Sequence, residues 1–186
     1  MAITPTTSKP LGFIAPSFML PETATGRSIS SETLFGSQPT VVIFMCNHCP
    51  FVIHIMDGWV ALVKEYQARG VQIVAISSND VTSHPQDGPE HMKVLATERG
   101  FTFPYLYDET QEVARAYDAA CTPDFSVFDN HRKCVYRGQF DASRPGNGVP
   151  VSGSDLRHVL DALLAGEDVP EEGQIPSIGC NIKWKA

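Results

Sequence analysis

Thr40 to Met45 is a run of apolar, mostly β-branched residues, the pattern of a strand buried on both faces. From Phe51 the period changes. Phe51, Ile55, Trp59, Leu62, Val63 and Tyr66 fall on one face of a helix, and Gly70 behind Arg69 is a stop signal. "VQIVAIS" predicts the next strand, "SNDVTSHPQDGP" a polar loop, and "EHMKVLATER" a short helix closed by Gly100. "FPYLYD" reads as a third strand or extended segment. "ETQEVARAYD" reads as a helix with Val113, Ala114 and Tyr117 facing in. "DFSVFD" and "CVYRGQF" around "NHRK" predict a hairpin, and "SGSDLRHVLDALLAG" a final helix striped by Leu156, Val159, Leu160 and Leu163. Ahead of all these, "FMLPETATGRSIS" reads as two short strands with Gly26 at the tip of their turn.

Strands alternating with helices predict an α/β layer structure, and the closing hairpin makes its sheet mixed. No internal repeat or low-complexity linker divides the chain, so residues 1–186 are expected to form one domain. The last stretch, about 166–186, has little periodicity and is expected to lie over the surface as an irregular tail.

Composition then narrows the function. With 42% hydrophobic and 19% charged residues, the chain is globular and folded. A net charge of −7, with the acids scattered, argues against nucleic acid and anionic membranes as partners. No apolar run approaches the length that spans a bilayer. "MAITPTTSKPLGFIAPSFML" lacks the basic stretch and apolar core of a secretory leader, so the expected location is the cytoplasm. The cysteines are Cys46, Cys49, Cys121, Cys134 and Cys180, an odd set that is no disulfide scaffold in a chain of this length. In a reducing compartment, closely spaced cysteines point to catalysis or metal.

Cys46-Asn47-His48-Cys49-Pro50 joins the buried strand to the following helix. Proline fits only in a first helical turn, and Asn47 is a good N-cap, which would place Cys46 just outside the helix. Cys46 would then face the unpaired N–H groups and partial positive charge of the helix start, conditions that favour a thiolate. Cys49 is close enough to close a disulfide with it, and His48 can stabilise the thiolate and the reduced pair. Two other readings stand beside this one: two core thiols, or a metal site of Cys46, His48 and Cys49. The metal reading lacks the fourth ligand that structural zinc takes, and no second paired cluster exists. His54 and His84 read as ordinary surface residues.

A second feature favours redox chemistry. In "AACTPDF", Thr122-Pro123 precedes a strand, and a cis bond there would turn a backbone edge outward to pair with an extended substrate. "LGFIAPSFML", "CNHCPF", "ISSNDVTSHPQDGPEHM", "FPYLYDET", "CTPDFSVFD" and "PSIGCNIKW" together resemble the thioredoxin superfamily, in particular its peroxiredoxin-like (AhpC/TSA-like) branch. The resemblance implies a thioredoxin-like fold: a central mixed β-sheet flanked by helices, with an N-terminal β-hairpin extension and a C-terminal tail. It implies Cys46 as the attacking thiol, Cys49 as the resolving thiol, and Thr122 and cis-Pro123 beside them as the substrate-binding segment.

Some positions depart from the family pattern. Thr40 to Phe44 carries no acid where thioredoxins proper bury one, and Met45 stands where they have Trp. Peroxiredoxins proper carry Thr three residues before the peroxidatic cysteine, and Ile43 occupies that place for Cys46. Cys121 and Cys180 are candidate accessory thiols. Cys121 reads as a small buried thiol, and Cys180 as a resolving or regulatory one. The loop "SSNDVTSHPQD" is placed to overhang the site, or is simply a run of turn formers.

The expected function is therefore a thiol–disulfide oxidoreductase acting on protein or small-molecule disulfides and re-reduced by a dithiol protein. No G-x-G-x-x-G follows a strand, so no nucleotide or flavin cofactor is expected. The rivals are a thiol peroxidase using Cys46 and a metal-binding module.

Overall fold

The computed structural model describes residues 3–186. In chain order its elements are β1 (Ile3–Pro5), β2 (Met19–Pro21), β3 (Ser28–Ser30), α1 (Ser31–Leu34), β4 (Thr40–Phe44) and α2 (Pro50–Gln67). There follow β5 (Gln72–Ser77), a 3₁₀ turn (Pro85–Asp87), α3 (Pro89–Arg99), β6 (Tyr105–Tyr107) and α4 (Glu112–Tyr117). The chain closes with β7 (Cys121–Thr122), β8 (Asp124–Phe128), β9 (Cys134–Gly138), α5 (Ser154–Ala165) and β10 (Ile178–Asn181).

The central sheet has the order β6-β5-β4-β8-β9. β5 runs parallel to β4 and to β6, while β8 runs antiparallel to β4 and to β9, so the sheet is mixed. Alternation along β4 sorts the core into two layers, because successive side chains of a strand point to opposite faces. Val41 and Ile43 pack with Trp59, Leu62 and Val63 of α2 and with Leu156 and Leu160 of α5. Val42 and Phe44 pack with Tyr117 and Ala114 of α4 and with Phe18, Leu34 and Phe35 from the N-terminal region. Trp59, 1% exposed, meets Phe103, Phe125 and Phe140 edge to face. Helices therefore flank a central mixed sheet, as expected. The β2–β3 hairpin is also present, and its Glu22 bridges to Leu106 at the β6 edge.

Two features differ from the sequence expectation. α2 starts at Pro50 with Cys49 as its N-cap, later than an Asn47 cap would have it. The C-terminal stretch also holds β10, which pairs antiparallel with β1 on one side and β7 on the other. A four-residue strand with a glycine inside carries too short a pattern to announce itself. Yet Cys180 within it and Ile182 just after it are buried, at 2% and 1% exposure. Among the described residues, no helix is long and apolar enough to cross a membrane.

Candidate active site

The junction of β4 and α2 is held by a residue outside the C-x-x-C motif. Asp87, fully buried, comes from the 3₁₀ turn of the overhanging loop. Its Oδ1 accepts from the Asn47 N–H at 2.8 Å and from the His48 N–H at 3.3 Å. Its Oδ2 accepts from Asn79 Nδ2 at 2.8 Å and meets His48 Nδ1 at 2.6 Å. Asp87 thus accepts from the N–H groups of both Asn47 and His48, and α2 begins after them, at Pro50. Asn47 is a clamp instead of a cap: its Nδ2 donates to the Gln86 carbonyl at 3.0 Å, and its Oδ1 accepts from the Tyr105 hydroxyl at 3.1 Å.

The two motif cysteines lie inside, with Cys46 1% and Cys49 0% exposed. Cys46, expected just outside the helix, is thus enclosed and not open to solvent. Cys46 Sγ is 3.5 Å from Thr122 Oγ1 and 3.9 Å from His48 Nδ1. Cys49 Sγ donates to the Thr122 carbonyl at 3.0 Å and lies 2.8 Å from Cys180 Sγ. The Thr122–Pro123 peptide is cis, as expected. Cys46, His48, Cys49, Thr122, Pro123 and Cys180 are thus brought together.

Electrostatics separate the two motif thiols in the opposite sense to the helix-start expectation. Cys49, the residue at the start of α2, is lowered to about 5. The Cys46 thiol donating to it is the largest cause, and burial opposes. The Cys180 thiol, Thr122 and the Val52 N–H of the first turn lower it further. Cys46 is pushed up by its pairing with Cys49, by burial and by the charge of Asp87. Of the two thiols, Cys49 is thus the more acidic and Cys46 the one whose proton is held more tightly. His48 gives its Nδ1 to Asp87 more closely than to sulfur.

The expected open edge beside Pro123 is occupied. β10 pairs along β7, with Cys180 in register with Thr122 and Asn181 with Cys121. Cys180 is raised to about 12, first by burial and then by Cys49. Cys121 is buried against Thr6 Oγ1 at 4.0 Å and the Pro123 carbonyl at 3.6 Å, and burial chiefly raises it. Cys134 is buried in β9, raised to about 12 mainly by that burial. His84 is not isolated: its ring stacks on His48 at 5.2 Å.

Donor atoms of Cys46, His48 and Asp87 lie within 4.8 Å of one another, the one such grouping among the described residues. It differs from the set expected from sequence, with Asp87 in place of Cys49. Both Asp87 oxygens already accept hydrogen bonds, so the carboxylate serves the turn before it could serve an ion.

Sequence reasoning missed two buried acids. Asp87 sits in a run of turn formers, where an aspartate is ordinary. Asp124, beside Pro123, accepts from Thr6 Oγ1 at 2.8 Å and the Ala120 N–H at 3.1 Å. No local pattern distinguishes either from a surface aspartate.

The sequence profile of the AhpC/TSA family matches residues 11–137. The chain belongs to the AhpC/TSA family. An uncharacterized conserved protein from Geobacillus kaustophilus is 55% identical, over 100% of this chain and 97% of its own, with a TM-score of 0.97. A hypothetical protein from Sinorhizobium meliloti 1021 is 44% identical over 98% of this chain and 99% of its own, with a TM-score of 0.95. A thiol:disulfide interchange protein of the thioredoxin family from Chlorobium tepidum TLS is 20% identical. It covers 84% of this chain and 99% of its own, with a TM-score of 0.64, and shares the fold. No curated protein matches the chain by sequence. This AhpC/TSA chain is thus a thioredoxin-fold redox protein. The matched residues stop within β9, and β10 with Cys180 lies beyond them.

Proposed function

We propose that the protein is a thiol–disulfide oxidoreductase whose exchange pair is Cys46 and Cys49. The observation that carries this reading is the C-x-x-C pair at the start of α2 set against the Thr122–Pro123 segment, with Cys46 Sγ 3.5 Å from Thr122 Oγ1 and Cys49 Sγ 3.0 Å from the Thr122 carbonyl. Cys49 is also lowered to about 5. A thiolate kept ready near neutral pH is what exchange requires.

Cys46 is the sulfur that meets substrate. Cys49 Sγ is hemmed in by the Thr122 carbonyl and Cys180 Sγ, whereas Cys46 borders His48, whose side chain is 18% exposed. Cys46 passes its proton to Cys49 as its sulfur attacks one sulfur of the substrate disulfide. The departing substrate thiolate takes up that proton. Cys49, again a thiolate, attacks Cys46 Sγ, expels the second substrate thiolate and closes the Cys46–Cys49 disulfide. A dithiol protein in a reducing compartment such as the cytoplasm returns the pair to its starting state. Protein or small-molecule disulfides suit this cycle equally.

Substrate trapping tests it. Cys49→Ser accumulates a mixed disulfide with substrate that dithiothreitol releases, and Cys46→Ser traps nothing. Trapping by Cys46→Ser alone would reverse the roles, and trapping by neither would end the reading.

A thiol peroxidase has one observation in its favour. The hydroxyl that Ile43 cannot supply reaches Cys46 from Thr122, at 3.5 Å. Against it stand the burial of Cys46 and its raised thiol.

A further inference from the structure

We propose that Cys180 is a third exchanging thiol, and that oxidising equivalents pass from the Cys46–Cys49 pair to a Cys49–Cys180 disulfide. The proposal rests on the reading of Cys46 and Cys49 as an exchange pair. Three observations carry it. Cys180 Sγ lies 2.8 Å from Cys49 Sγ, so a small rotation of either side chain brings the sulfurs to bonding distance. β10 holds Cys180 in register with Thr122, on the strand edge where an extended substrate would present its own cysteine. Gly179 lets the β10 backbone lie against the Thr122 carbonyl; a Cβ at this position would overlap that oxygen. The chain's own strand therefore sits as a substrate would, with a sulfur at the matching place.

The step conserves atoms and electrons. Cys180 gives up its proton to solvent and its sulfur attacks Cys49 Sγ of the Cys46–Cys49 disulfide. The Cys49–Cys180 bond forms, the Cys46–Cys49 bond breaks, and Cys46 leaves as a thiolate that takes a proton back. No external oxidant enters this step. Cys46 is then a thiol again while the one two-electron oxidation is held at Cys49–Cys180. A second substrate can be captured by Cys46 as a mixed disulfide, and its release waits until Cys49 is set free by reduction of the Cys49–Cys180 bond.

Diamide oxidation followed by alkylation and non-reducing peptide mapping tests this. Cys46→Ser should lose two alkylatable thiols and yield a linked Cys49–Cys180 peptide pair. The Cys46→Ser, Cys180→Ser double variant should lose neither. Wild-type protein equilibrated in a glutathione series should contain both the Cys46–Cys49 and the Cys49–Cys180 bridges, which needs no variant to fold. Cys180→Ser should retain the first bridge and lack the second. If wild type forms only Cys46–Cys49, or Cys46→Ser links Cys49 to Cys121, the third-thiol proposal is overturned and the exchange pair stands. If wild type forms no Cys46–Cys49 bridge, both readings fall.

Discussion

Gly179 and Thr122 touch backbone to backbone: a single added carbon on Gly179 would run into the Thr122 carbonyl oxygen. That contact seats β10 against the segment facing the exchange pair. Gly179→Ala should push β10 away and cost about 1–3 kcal/mol, the usual range for overpacking a filled site. It should also expose Cys180 to alkylation while the protein remains folded. Denaturant unfolding with parallel thiol labelling checks both. Unchanged stability and a still-protected Cys180 would show that the strand adjusts freely.

Asp87 holds the motif turn and raises Cys46 by its charge. In a Cys49→Ser background, Asp87→Asn should lower the Cys46 thiol and speed its reaction with iodoacetamide at neutral pH. The amide has one acceptor oxygen where the carboxylate has two, so a buried donor loses its partner at a cost of about 1–3 kcal/mol. Slower alkylation on this substitution would mean that the carboxylate acts through His48 to assist Cys46.

The reduced protein should show one thiolate appearing by ultraviolet absorbance around pH 5, absent in Cys49→Ser and shifted upward in Cys46→Ser, whose hydroxyl donates less well. The same group sets a stability slope. Its folded value of about 5 lies below the ordinary 9.0, so the folded state prefers the ionised form. That stabilisation is fully present above about pH 9, shrinks as the pH falls, and is gone below about pH 5. The difference in unfolding free energy between reduced wild type and Cys49→Ser should therefore grow from acid to alkaline pH. A flat difference would remove Cys49 as the charged member of the pair.

Donors that stabilise the Cys49 thiolate also stabilise the reduced state. The potential of the Cys46–Cys49 pair should therefore lie above about −270 mV, the thioredoxin level. Equilibration with glutathione, scored by peptide mapping, measures it. Cys180→Ser removes one donor and should move the potential downward.

Peroxide should oxidise Cys46 slowly, because its sulfur is protonated, buried and faced by Asp87. Trapping of sulfenic acid with dimedone checks this. Rapid labelling at low peroxide would promote the Thr122-assisted peroxidase.

Much of the fold was legible in local patterns. β4, β5 and α2 carry long apolar signals, and the C-x-x-C motif after a strand marked the site. The start of α2 lies at Pro50 and not after an Asn47 cap, and Asn47 and His48 instead give their N–H groups to Asp87, 40 and 39 residues away, a partner that no local cue reports. Likewise, residues 178–181 form a strand only because β1 and β7 supply its partners. The pairing of Cys49 with Cys180 spans 131 positions, a separation across which spacing rules say nothing.

The placement of β10 between β1 and β7 also sets an order in time. β4, α2 and the β7–β9 region are made well before residues 178–181. A domain generally folds as a unit, so the outer edge of β7 is closed only once residues 178–181 have been made.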